Sequence, residues 1–239
     1  MPPPASGCTV DVSAGSAPFA DRAAAGVVLS HHLTAYEDDP RVVVLALPRG
    51  GVPVAAPLAA RLGAPLDVLV VRKLGVPGHP EVAMGAIAGI GATVELVHEE
   101  RVRARAHVTL DDLDRARRRE LVELHRREAA YRGGRPAPRL AGRVVLLVDD
   151  GLATGATMRA AVAAVRGLAP ARVVVAVPVG SDGGCAALAR VADDVVCVRR
   201  PAPFRAVGQA YADFDPPSDD EVRALLARGG GAGATDRGV

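Results

Sequence analysis

The chain contains no tryptophan, only three phenylalanines and three tyrosines among its 239 residues. Its hydrophobic share of 49% therefore rests mainly on Ala, Val and Leu. Cysteine is equally sparse. Cys8, Cys185 and Cys197 are odd in number, widely spaced and without a CxxC pair, which excludes a disulfide frame or a cysteine-built zinc site and implies reduced thiols. His31, His32, His98, His107 and His125 show no metal-ligand spacing with carboxylates or cysteines. Lysine is nearly absent: of 29 basic residues, all but Lys73 are arginine. The formal charge of +2 gives no electrostatic case for nucleic acid. No apolar run reaches membrane-spanning length without charges. The opening Met1-Pro2-Pro3-Pro4 has neither a basic nor an apolar signal region, so a cytoplasmic protein with no membrane contact is expected.

What is present is an alternation of apolar strands and helices. Residues 1–17, rich in Pro, Gly and Ser, read as a loose lead-in, 18–228 as one domain, and 229–239 as a disordered tail. Within the domain, strands are expected at Val42–Leu47, Leu66–Val71, Val94–Val97, Val144–Val148, Arg172–Val177 and Asp194–Val198. Helices are expected at Phe19–Leu33, Val52–Leu62, Thr109–Tyr131, Ala160–Leu168, Ser181–Val191 and from Ser218 to near Arg228. Leu74–Gly91, rich in Gly and Pro, reads as a long loop with short strands at most in its second half. The arginines at 115, 117, 118 and 119 are interleaved with Asp114, Glu120, Glu123 and Glu128 and read as a solvated, salt-bridged helix face. Strand–helix–strand order predicts an α/β fold with a parallel sheet and right-handed crossovers. No internal repeat is visible.

The most informative stretch is Val144 to Met158: five apolar residues, Asp149-Asp150, then Gly151-Leu152-Ala153-Thr154-Gly155-Ala156-Thr157 leading into an Ala-rich helix. A strand buried on both faces ends at two carboxylates. A small-residue loop entering a helix then offers free amides and the positive end of a helix dipole, which suit a phosphate. Carboxylates just ahead of it suit sugar hydroxyls or Mg²⁺. A second loop, Arg49-Gly50-Gly51, directly follows the strand at 42–47, where Gly permits backbone approach and a guanidinium pairs with phosphate. In an open parallel sheet, loops at the carboxyl ends of strands share one crevice.

At these residues the chain resembles the type I phosphoribosyltransferases, which use 5-phosphoribosyl-1-pyrophosphate (PRPP). The resemblance runs from about Phe19 to Leu226. It implies an α/β fold with a parallel sheet flanked by helices, a helical insertion at about 99–135 and a small C-terminal hood at about 199–217. It also implies that Asp149 and Asp150 face the ribose hydroxyls, that Ala153, Thr154, Gly155, Ala156 and Thr157 wrap the 5'-phosphate, and that Arg49, Gly50 and Gly51 meet the pyrophosphate. Arg72 and Lys73 would bring positive charge to the leaving group from the base of a closing loop; capping a strand in solvent is the simpler alternative. His79 and Glu81 within that loop could carry a proton, or could be plain surface residues. Any Mg²⁺ would be held mainly by the substrate, with help from Asp149 and Asp150.

Further motifs, Pro48-Arg49-Gly50-Gly51-Val52-Pro53, Tyr131-Arg132-Gly133-Gly134-Arg135-Pro136 and Phe204-Arg205-Ala206-Val207-Gly208-Gln209, resemble a subgroup of bacterial and archaeal phosphoribosyltransferase-domain proteins. In the hood, Phe204 or Tyr211 would either stack on a flat acceptor or anchor the segment to the core. Ala153 stands where hypoxanthine-guanine enzymes carry Asp, so the choice of base stays open. The resemblance implies transfer of ribosyl 5-phosphate to a nitrogen acceptor, with a non-catalytic PRPP-sensing protein as the alternative. The partners implied are small molecules, with a homo-oligomer as a further possibility.

Overall fold

The structure, a computed structural model, describes residues 17–229 apart from 92 and 99, and no side chain at 80, 81 and 98. The expected lead-in and tail lie outside these residues except at their inner ends, as do Cys8 and the side chain of Glu81.

Five parallel strands form the main sheet in the order β2-β1-β6-β7-β8. They are β1 (Val42–Ala46), β2 (Leu66–Val68), β6 (Val144–Val148), β7 (Arg172–Val179) and β8 (Asp194–Arg199). β1 and β6 are buried along their whole length. Helices cover both faces, which is why these strands read as unbroken apolar runs. The order reverses between β1 and β6, since the chain moves from β1 outward to β2 on one side and from β6 to β7 and β8 on the other. That reversal opens a crevice at the carboxyl ends of two neighbouring strands.

The helices are locally well specified. α1 (Arg22–His31) starts at Asp21, whose side chain accepts from the Ala24 amide. α2 (Gly51–Leu62) ends on Gly63 at φ +63°, the left-handed stop that glycine adopts freely. α4 (Leu110–Arg132) opens with a reciprocal Thr109–Asp112 capping box and ends at Gly133. α5 (Ala156–Arg166), α6 (Asp182–Leu188) and α7 (Asp219–Gly229) complete the set with the short α3 (Glu100–Arg105). No helix among the described residues is long and apolar enough to cross a membrane.

One expectation is overturned. Leu74–Gly91 is not a loop. The chain leaves the main sheet after β2 and builds a second, antiparallel sheet from β3 (Val70–Val76), β4 (His79–Ile90) and β5 (Thr93–His98), in that order. The strand expected at Leu66–Val71 is thereby split at Leu69, whose amide still donates to the Ala46 carbonyl. Gly89 is there for space, since a Cβ on it would lie 2.5 Å from Leu124 of α4, whereas Gly78 turns β3 into β4 at φ +78°. Met84 and Ile87 join Leu113, Ala116 and Leu124 in one apolar layer. A buried ion cluster fastens α4 to β2 and to this sheet. Arg132 donates to Asp67 at 3.0 Å, to Glu128 at 2.6 Å and to the Val68 carbonyl at 2.8 Å, while Glu128 also accepts from the Gly91 amide.

Candidate active site

The loop after β1 and the carboxylates after β6 meet in the crevice. Leu47 donates its amide to the Val148 carbonyl at 2.9 Å, and the chain then turns through a cis Pro48–Arg49 peptide into α2. Gly50 lies so close to the acidic pair that a Cβ there would sit 2.1 Å from Oδ2 of Asp150. A Cβ on Gly51 would sit 2.6 Å from the Val148 carbonyl and 3.0 Å from Cα of Asp149. Gly50 has φ −58°, so this requirement is for space and not for an unusual backbone. Sequence-expected Arg49, Gly50, Gly51, Asp149 and Asp150 are thus gathered in one place.

Each carboxylate has one oxygen engaged. Asp149 Oδ1 accepts from the Asp150 amide at 2.9 Å, and Asp150 Oδ2 accepts from Nε of Arg22 at the same distance. Among the described residues, no protein donor holds the other oxygen of either group. Burial pushes the Asp149 carboxyl well above the usual carboxylate range, and the neighbouring Asp150 charge adds to the effect. Burial also raises Asp150, but the hydrogen bond and charge of Arg22 oppose the rise.

The loop from Ala153 to Thr157 runs into the N-terminus of α5. Gly155 takes φ +75° and has no side chain to cap the helix; the Thr154 hydroxyl accepts a long bond from the Ala156 amide at 3.4 Å, and a helix N-terminus of this kind suits an anion. Ser181 fixes the loop from behind: its hydroxyl donates to the Ala153 carbonyl at 2.5 Å and accepts from the Gly184 amide at 2.9 Å. Leu152 and Gly180 form a parallel bridge that ties the same loop to the end of β7.

The segment around Tyr211, within the expected hood, docks on the entry to α1. Phe19 and Tyr211 bridge in parallel, with Phe19 donating to Ala210 and Ala212 to Phe19, both at 2.8 Å. Tyr211 is 6% exposed, its ring against Phe19 and Phe214, and its hydroxyl donates to the Asp150 carbonyl at 2.5 Å. Of the two expected roles, this burial favours anchoring the segment to the core. Phe204 is half-buried against the same core.

Two further sequence expectations resolve differently. Arg72 is not free for a leaving group: its guanidinium donates to Glu120 of α4 at 2.6 and 3.0 Å. Lys73, one residue on, points to the opposite face of β3 and is exposed. It sits within β3 and not at the base of a loop. Residues the sequence did not mark for the site are Arg22, Ser181 and Asp219, together with Tyr131, which it gave only as part of the motif at 131–136. Tyr131 donates to Asp219 Oδ1 at 2.9 Å, and Nη1 of Arg49 lies 4.0 Å from that oxygen. The one sequence signal for Arg22 is its charge: a cation in the first turn of a helix opposes the helix dipole.

As to a metal, Asp149 and Asp150 are two adjacent acidic donors, and no cluster of three or more potential ligands occurs among the described residues. Such a set fits Mg²⁺ shared with substrate oxygens better than a protein cage.

An open parallel sheet with an acidic pair and a glycine loop at its switch point, beside the N-terminus of α5, is the α/β arrangement in which a crevice opens beyond the strand ends. Comparison with known proteins narrows this. The model of the phosphoribosyl transferase domain matches residues 19–214. A Mycobacterium tuberculosis (strain H37Rv) protein whose name carries a provisional phosphoribosyl transferase assignment is 50% identical over 210 residues, covering 88% of this chain. The chain spans 46% of that relative's length. The crystal structure of TT1426 from Thermus thermophilus superposes with a TM-score of 0.77 at 43% identity, covering 90% of this chain and all of that one. The chain belongs to the phosphoribosyltransferase family.

Proposed function

We propose that this domain transfers ribosyl 5-phosphate from PRPP to a nitrogen acceptor, a nucleobase being the favoured class, with release of pyrophosphate. The observation that carries this reading is the packing of Gly50 and Gly51 on Asp149 and Asp150. It sets a loop suited to pyrophosphate against carboxylates suited to a ribose, with the amides of α5 beyond them for a 5'-phosphate.

In this arrangement the amides of Ala153 to Thr157 hold the phosphate, and the remaining oxygens of Asp149 and Asp150 accept from the two ribose hydroxyls. As the bond to pyrophosphate lengthens, positive charge grows on the ribose, and the two carboxylates stabilise it. Arg49 and exposed Lys73 supply charge to the departing pyrophosphate. Mg²⁺, when bound through the substrate, would add neutralisation of that leaving group. The hood at about 199–217, pinned by Tyr211, covers the acceptor side, with Phe204 as its half-buried edge. The residues 18–228 act as one phosphoribosyltransferase domain.

The test is Mg²⁺-dependent pyrophosphate release from PRPP with a panel of purines, pyrimidines and small amines. Release triggered by one acceptor supports the transferase and names its class. Tight PRPP binding with no release across the panel would replace the reading with a PRPP-sensing protein.

A further inference from the structure

Arg22 sits where stability alone would not put it. It is the first residue of α1, at the positive end of the helix dipole, and is 8% exposed. A buried guanidinium is costly unless its donors are matched, and the dipole there disfavours a cation. Three partners hold it in place. Nε donates to Asp150 Oδ2 at 2.9 Å, Nη1 donates to the Asp215 carbonyl at 2.7 Å, and the guanidinium carbon lies 3.9 Å from the centroid of the Phe214 ring. Asp215 and Phe214 lie at the end of the hood, whereas Asp150 belongs to the acidic pair, 128 residues away from Arg22 in sequence. One side chain therefore joins the carboxylate to the segment that covers the site.

We propose that Arg22 is a positioning residue for the reaction: it orients the Asp150 carboxylate toward the ribose and makes that orientation depend on the seating of the hood. The inference rests on the phosphoribosyltransferase reading above. With Oδ2 held by Arg22, Asp150 keeps its other oxygen for the ribose. With Nη1 on the Asp215 carbonyl and its face on Phe214, the guanidinium cannot keep this pose when the hood lifts. Acceptor closure and ribose recognition are coupled through it. Asp150 is faced by Arg22 from α1, by Asp149 beside it and by the Tyr211 hydroxyl from the hood, while the loop after β1 contributes only Gly50. Arg22 is thus the one cation among these groups.

The test compares wild type, Arg22→Gln and Arg22→Lys. Calorimetry would measure Mg²⁺-PRPP affinity at neutral pH, and steady-state kinetics would separate the KM values for PRPP and the acceptor from kcat. In Arg22→Gln, affinity should fall about tenfold. The acceptor's KM should rise with it, because the hood is no longer fastened to the carboxylate. Arg22→Lys keeps the charge but not the forked geometry, so it should restore only part of the affinity and leave the acceptor's KM raised. An Arg22→Gln protein whose PRPP affinity and acceptor KM track wild type, with only its melting temperature lowered, overturns the proposal. If Arg22→Gln does not fold, unchanged affinity and acceptor KM in folded Arg22→Lys overturn it equally. A wild type that does not bind PRPP overturns the functional reading instead, and crystal structures of the variants, with Asp150 and the hood in or out of place, then decide the positioning role.

Discussion

Gly50 and Asp150 are in mutual contact to a degree that excludes any side chain between them, since a Cβ on Gly50 would stand 2.1 Å from Asp150 Oδ2. Two loops far apart along the chain thus share a single surface. Gly50→Ala suits the backbone, whose φ is −58°, but it must push the carboxylate off its place beside Arg22. Turnover is expected to fall roughly hundredfold, as displacements near 1 Å can cause, with a melting temperature lowered by only a few degrees. Steady-state kinetics beside a melting curve checks this. Wild-type turnover would mean that the contact is incidental.

Asp149→Asn should separate stability from function. Burial holds the Asp149 carboxyl above its unfolded value, so the native state binds its proton more tightly than the unfolded chain. The sign follows: this group's stabilising contribution is complete below the unfolded pKa, near about 3.9, and is lost as pH rises through the raised native value. Neutral Asn removes that loss and still accepts from the Asp150 amide. The ligand-free variant should melt higher than wild type, by a margin that widens toward neutral pH, while its turnover collapses. Melting curves over a pH series provide the measurement. A margin that stays flat or turns negative would contradict it.

Arg132 offers a test of the second layer. Its guanidinium is buried between Asp67 and Glu128, with side-chain exposures of 5%, 11% and 7% respectively. Arg132→Ala leaves two buried carboxylates without their cation, and a loss of about 3–5 kcal/mol is expected. Because Glu128 also holds the Gly91 amide, the loss should appear in hydrogen exchange at the β4–β5 turn as well as in urea denaturation. A loss under about 1 kcal/mol, the range of surface pairs, would show that the cluster is effectively solvated.

Tyr211→Phe keeps the ring and removes the hydroxyl from the Asp150 carbonyl. As an anchor, Tyr211 should yield about 1 kcal/mol of stability and leave acceptor affinity nearly unchanged. A large rise in the acceptor's KM with no change in melting temperature would return it to a direct role in binding.

The crevice was legible in the sequence for a physical reason. β1 and β6 are buried on both faces, so each reads as an apolar run, and the glycines at 50 and 51 are dictated by the close approach that forms the site. The antiparallel sheet was not legible. Gly75, Gly85 and Gly89 suggest a loop when read locally, and the space that explains Gly89 is set by Leu124, far along the chain. Arg72 and Lys73 are adjacent in sequence and so suggest a shared role, but strand alternation turns them to opposite faces and gives Arg72 to Glu120. Arg22 escaped because its partner lies 128 residues away, and no local pattern records such a pairing.

Calorimetric titration of wild type with PRPP in the presence of Mg²⁺, followed by displacement with pyrophosphate and with ribose 5-phosphate, probes the shared surface of the two loops directly. The expected result is saturable PRPP binding between about 1 μM and 1 mM, the range usual for enzyme substrates, weakened competitively by both fragments. No PRPP heat at millimolar concentrations, or binding that neither fragment displaces, would contradict a PRPP site at the junction of β1 and β6.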